Sequence, residues 1–137
     1  MIEYLLDSTP LVAYLLGRSG AVMRIRPWIR AATVSTSVLC YAEALEHLRG
    51  RADFARHLAS LRVLTDDVPL NYVTTEISER YGALRRQLRP PYGPGLIGDI
   101  DTLIATTALD LDLTVVTTDG DFRRVPDLKL LLLPRGG

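Results

Sequence analysis

The sequence predicts an α/β protein, a three-layer α/β/α sandwich with a mostly parallel central sheet. Short apolar runs alternate along the chain with longer segments of helical period. No segment repeats another, and one turn-forming stretch, residues 90–95, interrupts the pattern. The 137 residues are 47 % hydrophobic, which is enough for one domain with a buried core. We therefore expect a single domain over residues 1–137.

The amino-terminal half is expected to contain two strands and four helices. Ser8 or Thr9 followed by Pro10 is typical of a helix start, and Ser37 is expected to cap a later helix that Gly50 ends. The predicted elements are a buried strand over residues 2–6, helices over 8–16 and 21–31, a strand at 33–35, and helices over 37–49 and 52–61.

The carboxyl-terminal half is expected to alternate strands and helices in the same way. Ile77, Tyr81, Leu84 and Leu88 recur on one face of a predicted helix. The predicted elements are a short strand or extended link over residues 63–70, helices over 73–88 and 99–112, a strand over 113–117, a short helical segment, and a last strand over 128–133.

The charge of the chain neither requires nor excludes a nucleic-acid partner. Acids and bases balance at 16 each, but Lys129 is the only lysine, so fifteen of the sixteen basic residues are arginines. Arginine suits two-pronged contact with phosphate. A genome rich in arginine codons explains the same bias.

The sequence gives no sign of a membrane or secreted protein. The first residues lack a basic segment followed by a long apolar one, and no apolar run approaches the roughly 20 residues of a membrane span. Cys40 is the only cysteine, which fits a reducing compartment. We expect a cytoplasmic protein with no membrane partner.

Acidic residues occur at four places that can meet at one rim of the sheet. In a parallel sheet, ligands bind outside the carboxyl ends of the strands. Asp7 follows the first strand, Glu43 lies on the helix after the second, Asp99 and Asp101 open a late helix, and Asp119 and Asp121 follow the penultimate strand.

Carboxylates gathered in one cleft repel each other unless a cation neutralises them. Mg²⁺ and Mn²⁺ prefer oxygen ligands, and the lack of a cysteine pair or a closely spaced histidine pair argues against zinc. Such a site is typical of metal-assisted phosphodiester hydrolysis, in which the metal activates water and stabilises charge on the phosphate.

Each acid also has a simpler interpretation when it is taken alone. Asp7 is read as a turn former or helix cap, Glu43 as a solvated helix residue, and Asp99 as an N-cap. Asp121 with Phe122 is read as a turn whose aromatic ring packs in the core. The metal-site hypothesis depends on the conjunction of the acids.

Four motifs give the chain a resemblance to a known family. They are residues 6–9 (Leu-Asp-Ser-Thr), 35–43 (Ser-Thr-Ser-Val-Leu-Cys-Tyr-Ala-Glu), 98–109 (Gly-Asp-Ile-Asp-Thr-Leu-Ile-Ala-Thr-Thr-Ala-Leu) and 115–122 (Val-Val-Thr-Thr-Asp-Gly-Asp-Phe). The chain resembles PIN-domain proteins over nearly its whole length and, among them, the VapC-type toxins of bacterial toxin–antitoxin pairs. The last two motifs are specific in combination. Thr106 stands where the family often has a second alanine.

The resemblance implies a PIN-like fold and a set of site residues. The family's four acids fall on Asp7, Glu43, Asp101 and Asp119, which are the expected catalytic residues. Asp7, Asp101 and Asp119 are expected to hold Mg²⁺ or Mn²⁺, and Glu43 to complete the shell or orient the attacking water. The remaining candidates are Asp99 and Asp121 as secondary metal ligands, and Ser8 and Thr117 as residues that hold the carboxylates in place.

The resemblance also implies a function and partners. It implies an endoribonuclease that cleaves structured RNA, such as transfer or ribosomal RNA, and arrests growth. It further implies a homodimer and a hetero-oligomer with a cognate VapB-type antitoxin that inhibits the toxin.

Two arginine groups are candidates for binding RNA phosphates. Solvated helix faces are the simpler interpretation of both groups. The candidates are Arg24, Arg26 and Arg30 before the second strand, and Arg85, Arg86 and Arg89 at the end of a long helix.

Other functions remain alternatives. A phosphoacceptor receiver domain also gathers acids at a sheet edge, but it needs paired acids after the first strand and a late lysine, whereas Ser8 follows Asp7 and Lys129 lies in an apolar strand. A PIN domain that matures RNA, or that binds without catalysis, is the second alternative.

Overall fold

A computed structural model of the protein describes residues 1–135. Five strands form one parallel sheet in the order β3-β2-β1-β4-β5. The strands are β1 (Tyr4–Leu6), β2 (Val34–Ser37), β3 (Leu70–Asn71), β4 (Thr114–Thr117) and β5 (Leu130–Leu132). The helices are α1 (Ser8–Leu15), α2 (Ser19–Arg30), α3 (Val38–Arg49), α4 (Phe54–Leu64), α5 (Thr75–Leu88) and α6 (Asp99–Leu111). A 3₁₀ helix, Gly120–Arg124, connects β4 to β5.

The helices cover both faces of the sheet, which confirms the predicted three-layer α/β/α sandwich. The chain leaves β1 toward β2 and β3 and then returns to β4 on the other side of β1. Right-handed connections therefore place α1 to α4 on one face and α5 and α6 on the other. In agreement, α1 contacts α2, α3 and α4, and α5 packs on α6.

The core contains apolar side chains from every strand except β3 and β5, together with the inner helix faces. Leu5, Val34 and Val115 of the three central strands are fully buried, as are Ile104 of α6 and Phe122 of the 3₁₀ helix. The predicted packing of Phe122 in the core is therefore confirmed. Burial on both sheet faces explains why β1 and β4 contain consecutive apolar residues without alternation. In β2 the buried Ser35 and Thr36 instead donate hydrogen bonds to the carbonyl oxygens of Tyr4 and Leu6.

Several boundaries differ from those predicted, for local reasons. The short strand or extended link predicted over residues 63–70 is wrong at its start, because Val63 and Leu64 complete α4, and only Leu70 of that range belongs to β3. Pro69 still accepts a 3.0 Å hydrogen bond from the Thr36 amide. The helix α2 continues through Pro27, although proline lacks the backbone N–H that would donate to the carbonyl group one turn earlier.

The start of α1 also differs from the expectation. Asp7 is the N-cap, and its Oδ1 accepts a 2.8 Å hydrogen bond from the Ser8 amide, so neither Ser8 nor Thr9 caps this helix. Ser37 caps α3 as predicted, because its Oγ accepts a 3.0 Å hydrogen bond from the Leu39 amide. The cap of α1 therefore fixes the first acid directly at the end of β1.

Candidate active site

The strand order reverses between β1 and β4, and the candidate site lies at the carboxyl ends of these two strands. From β1 the chain continues toward β2, and from β4 it continues toward β5 on the opposite side. The two connections therefore diverge and open a crevice between them. Asp7 follows β1, and Asp119 lies two residues beyond the end of β4. The amide of Asp7 extends the pairing by donating a 2.9 Å hydrogen bond to the carbonyl oxygen of Val116. The topology therefore places two of the predicted acids on either side of one crevice.

Asp7 is the most buried acid of the site, with a side chain held on both oxygens. The residue is 4 % exposed. Its Oδ2 accepts a 2.6 Å hydrogen bond from the Thr117 hydroxyl group, and its Oδ1 accepts the one from the Ser8 amide. Burial raises the pKa of Asp7 above its ordinary value, and the negative charge of Asp119 adds to this rise.

Glu43 reaches the same place from the second turn of α3. Its Oε1 is buried and finds no hydrogen-bond partner among residues 1–135. Burial and the charge of Asp7 raise the pKa of Glu43, while the Ser8 side chain partly offsets that rise. A buried carboxylate oxygen without a donor destabilises the fold, because it has lost its hydrogen bonds to water and no protein donor replaces them. A cation bound beside Asp7 would satisfy it.

Asp101 lies in the first turn of α6 and faces the other acids. Burial, followed by the charges of Asp7, Asp119, Glu43 and Asp121, raises the pKa of Asp101 to about 7. The residue is only partly exposed. Asp101 therefore lies within electrostatic reach of Asp7, Glu43, Asp119 and Asp121.

Asp119 is held by its own backbone and by the following turn. Its amide donates a 3.0 Å hydrogen bond to Thr117 Oγ1, and its Oδ1 accepts a 2.9 Å hydrogen bond from the Asp121 amide. Asp119 is thus the N-cap of the 3₁₀ helix. Asp7, Glu43 and Asp119 all contribute to the pKa of Asp101, so the four acids lie near one another around one crevice. We call them the acidic cluster: Asp7, Glu43, Asp101 and Asp119.

The two secondary acids lie further out. Asp99 has a side chain that is 75 % exposed, and it forms a 3.2 Å ion pair with Arg85 of α5. Gly98, not Asp99, is the N-cap of α6. Asp121 is 54 % exposed and lies 3.7 Å from Arg124, but its charge still influences Asp101. Asp99 therefore faces α5, whereas Asp121 lies at the edge of the cluster.

Cys40 belongs to the site, although sequence reasoning did not place it there. Its Sγ lies 3.8 Å from Asp7 Oδ1, and ligand atoms of Asp7, Cys40 and Glu43 all lie within 4.8 Å of one another. Cys40 and Glu43 are three residues apart on α3, a spacing that puts side chains on one helix face. That spacing is the signal that identifies Cys40 from the sequence. Burial and the charge of Asp7 raise the pKa of the thiol.

The arginines predicted to bind RNA occupy different environments. Arg24 lines a pocket with Thr118, next to Asp119. Arg30 is six residues further along α2, about 9 Å along the helix axis, and lies shortly before the start of β2, away from the carboxyl ends of the strands. Arg85 is 22 % exposed and already donates a 3.0 Å hydrogen bond to the Ile97 carbonyl oxygen. The other three, Arg26, Arg86 and Arg89, are exposed.

The helices of residues 1–135 include none whose length and hydropathy would allow it to cross a membrane.

Comparisons with known proteins agree with this geometry. The PIN domain family matches residues 4–128. The chain is 30 % identical over 140 aligned residues to "Ribonuclease VapC1" of Haemophilus influenzae (strain R2866), which covers 92 % of this chain and 94 % of that protein. Its homologue of strain ATCC 51907 / DSM 11121 / KW20 / Rd is 29 % identical with the same coverage.

Solved structures show the same fold. A chain in the crystal structure of VapBC2 from Rickettsia felis bound to a DNA fragment from their promoter has a TM-score of 0.82 at 22 % identity, with 97 % of this chain and 99 % of that chain covered. A chain in the structure of VapBC-1 from nontypeable Haemophilus influenzae has a TM-score of 0.73 at 26 % identity, with 96 % and 98 % covered. The chain therefore belongs to the PIN-domain family and, within it, to the VapC-type proteins.

Proposed function

We propose that this protein is a metal-dependent endoribonuclease, the toxin of a VapBC-type toxin–antitoxin pair, which folds as one domain and acts in the cytoplasm on structured RNA such as tRNA or rRNA. The observation that carries the proposal is the acidic cluster, in which the buried Asp7 shares a crevice with three further carboxylates. Relatives named ribonucleases and neighbours solved as VapBC complexes support the same activity and partner.

The donor set of the cluster fits a hard divalent cation. Carboxylate oxygens dominate it, and the buried Oε1 of Glu43 lacks a donor within the described residues. Burial, followed by the like charges of the neighbouring acids, raises the pKa of Asp101 to about 7, so a cation would offset both the burial of charge and the repulsion. We assign Mg²⁺ or Mn²⁺ to Asp7, Asp101 and Asp119, with Glu43 and Asp121 at the edge of the shell.

The chain's own residues have distinct roles in this proposal. Asp7 is fixed on both oxygens, by Thr117 and by the Ser8 amide, so it is ordered before substrate arrives. Glu43, with one free oxygen, is placed to orient or deprotonate the attacking water. When bound, the cation supplies activation of water and offsets charge on the phosphate. No covalent intermediate with the protein is required.

The partners follow the same proposal. A VapB-type antitoxin would bind the toxin and inhibit it, and the toxin itself would form a homodimer within the hetero-oligomer. Solved neighbours contain VapBC pairs, two of them on DNA, which supports a partner of this kind. A short antitoxin gene directly upstream of the gene for this protein would favour a toxin over an RNA-maturation enzyme.

Expression of the wild type and of Asp7→Asn in bacteria tests the proposal. Asparagine keeps an oxygen that can cap α1, so we expect the fold to persist while cleavage and growth arrest are lost. RNA ends mapped after induction would identify the target class. Purified wild-type protein should lose cleavage in EDTA and regain it with Mg²⁺ or Mn²⁺. Full ribonuclease activity of Asp7→Asn would remove the central claim.

A further inference from the structure

Two depressions flank α1 at the edge of the acidic cluster, and Arg18 lines both of them. A groove of about 300 Å³ runs between α1 and α3, and its walls include Ser8 and Glu43. A smaller pocket of about 80 Å³ lies on the other side of α1, with Thr118 in its wall directly before Asp119. Sequence reasoning did not single out Arg18, since its position depends on how α1 and α2 pack together.

The backbone of Arg18 is fixed although its side chain is exposed. Arg18 is the N-cap of α2, and its amide donates a 3.0 Å hydrogen bond to the Ala13 carbonyl oxygen. Gly17 before it adopts a φ of +73°, a left-handed conformation that favours glycine and produces the sharp turn between α1 and α2. The Arg18 side chain therefore starts from a fixed turn and lines both depressions beside the cluster.

The smaller pocket combines two cations with apolar walls. Arg18 and Arg24 lie at it, while Pro10, Ala21 and Leu133 supply apolar surface. None of the described residues that line it is acidic. Within residues 1–135, neither arginine forms an ion pair with a carboxylate. Both guanidinium groups are thus available to an anionic ligand that also carries an apolar face.

A nucleotide has this combination of chemical groups. Arginine binds phosphate oxygens with two donors at once, and its planar group also stacks on bases. The groove beside the cluster contains Glu43 and Glu46, which repel a polyanion, and Arg18 is the only arginine or lysine among its described lining residues. A cation at this rim offsets that repulsion where the RNA backbone must approach the acids.

We propose that Arg18 and Arg24, with the apolar pocket that they border, form the subsite that binds one nucleotide of the RNA beside the cleaved bond. Arg18 and Arg24 bind its phosphate, and Pro10, Ala21 and Leu133 contact its base. The inference rests on the proposed ribonuclease function and deepens it, because it locates the path of the substrate on the α1–α2 side of the cluster.

RNA binding to the non-cleaving Asp7→Asn protein tests the phosphate contacts. Fluorescence anisotropy with a single-stranded RNA would compare Arg18→Ala, Arg24→Ala and the double variant with Arg30→Ala, the matched control at the far end of α2. We expect the double variant to bind RNA at least about tenfold more weakly. The slope of log Kd against log salt concentration should fall by about one for each phosphate contact that is lost. Arg18→Lys should recover part of the affinity, and Arg30→Ala should bind like the parent.

Small probes test the base contact. Nucleoside 5′-monophosphates and ribose 5-phosphate would be titrated into methyl-labelled Asp7→Asn protein. We expect the methyl signals of Leu133 and Ala21 to shift with the nucleotides and not with the sugar phosphate. Equal shifts with both probes would overturn the base contact.

The outcomes separate this inference from the proposed function. If the wild type cleaves RNA in an Asp7-dependent way but the double variant binds RNA unchanged at an unchanged melting temperature, the subsite is wrong and the function stands. If the double variant instead loses only the antitoxin complex, the surface binds a protein and the inference is also wrong. A wild type that cleaves no RNA would refute both.

Discussion

The Thr117 hydroxyl group donates a 2.6 Å hydrogen bond to Asp7 Oδ2 and so joins the ends of β4 and β1. Thr117 Oγ1 in turn accepts a 3.0 Å hydrogen bond from the Asp119 amide. One buried side chain therefore orients one acid directly and anchors the backbone of another. Mutation of a residue that holds a metal ligand in place in this way commonly lowers the affinity for the metal by about 10–100-fold.

Thr117→Val should lower kcat and the affinity for Mn²⁺ by about 10–100-fold, because Asp7 loses the donor on Oδ2. Thr117→Ser keeps the hydroxyl group and should retain most of both. The measurements are steady-state cleavage and calorimetric metal titration. Thr107→Val is the matched control, a buried threonine whose hydroxyl group binds the Leu103 carbonyl oxygen in α6. Equal losses in the two valine variants would reduce Thr117 to a structural role.

The positions of the acids were easier to predict from the sequence than the contacts of their side chains. The strand ends placed Asp7 and Asp119, because a buried apolar run ended at each of them. The difference between Asp99 and Asp101 was readable as well, since residues two apart on a helix face different directions. The structure accordingly shows Asp101 with the cluster and Asp99 paired with Arg85. The position of Arg18 was not predictable, because it depends on how α1 and α2 pack together.

In the fold as well, the overall arrangement was predictable from the sequence and some local details were not. The alternation of strands and helices was predictable from periodicity, and the parallel three-layer arrangement followed from it. The β3 strand was misplaced, because two residues at a sheet edge carry too little pattern to locate. Ser8 or Thr9 was predicted to cap α1, whereas the N-cap is Asp7, which agrees with the simpler interpretation of that acid as a helix cap. Asp7, Ser8 and Thr9 are all good capping residues, so the sequence alone does not choose between them.

Asp101→Asn should stabilise the metal-free protein at neutral pH. Burial and four neighbouring acids raise the pKa of Asp101 from 3.8 to about 7, so the folded state binds more protons than the unfolded state between these values. Stability is therefore fully present at low pH and is lost as pH rises from about 4 to 7. Melting curves of the wild type in EDTA should show this loss, and those of Asp101→Asn should show less of it.

Divalent cations should make the wild type more stable than Asp101→Asn, which reverses the order of stability expected without metal. Mg²⁺ or Mn²⁺ neutralises the cluster, so it should raise the melting temperature of the wild type more than that of Asp101→Asn. Asp66→Asn, an exposed acid of the loop after α4, is the control that should leave both curves unchanged. If Asp101→Asn melted at a lower temperature than the wild type in EDTA at pH 8, the repulsion argument would be wrong.

Cys40 should make the site more receptive to soft metals than carboxylates alone. Its Sγ and oxygens of Asp7 and Glu43 lie within 4.8 Å of one another, and thiolate ligands favour soft metals. Cys40→Ser should weaken Cd²⁺ binding by about tenfold or more while changing Mg²⁺ binding little. Thiolate–cadmium ultraviolet absorption and calorimetry measure the two effects. Serine keeps a donor for Asp7, so an equal loss for both metals would show that Cys40 acts on the fold of the site.

Arg85 should stabilise the fold instead of binding RNA, in contrast to the sequence-based prediction. It donates to the Ile97 carbonyl oxygen at 3.0 Å and pairs with Asp99 at 3.2 Å, so it ties the start of α6 to α5. Arg85→Ala should cost about 1–3 kcal/mol in urea unfolding, because charge-assisted hydrogen bonds to a part-buried carbonyl are lost.

Arg86→Ala provides the comparison from the neighbouring position. Arg86 is exposed, and its guanidinium group lies 5.7 Å from the centre of the Tyr92 ring, a weak contact at the surface. We therefore expect little change in its free energy of unfolding. Anisotropy with the Asp7→Asn protein should show RNA affinity preserved in Arg85→Ala at temperatures where the variant is folded. A tenfold loss of RNA affinity at wild-type stability would instead make Arg85 a phosphate contact, as the helix-end pattern first indicated.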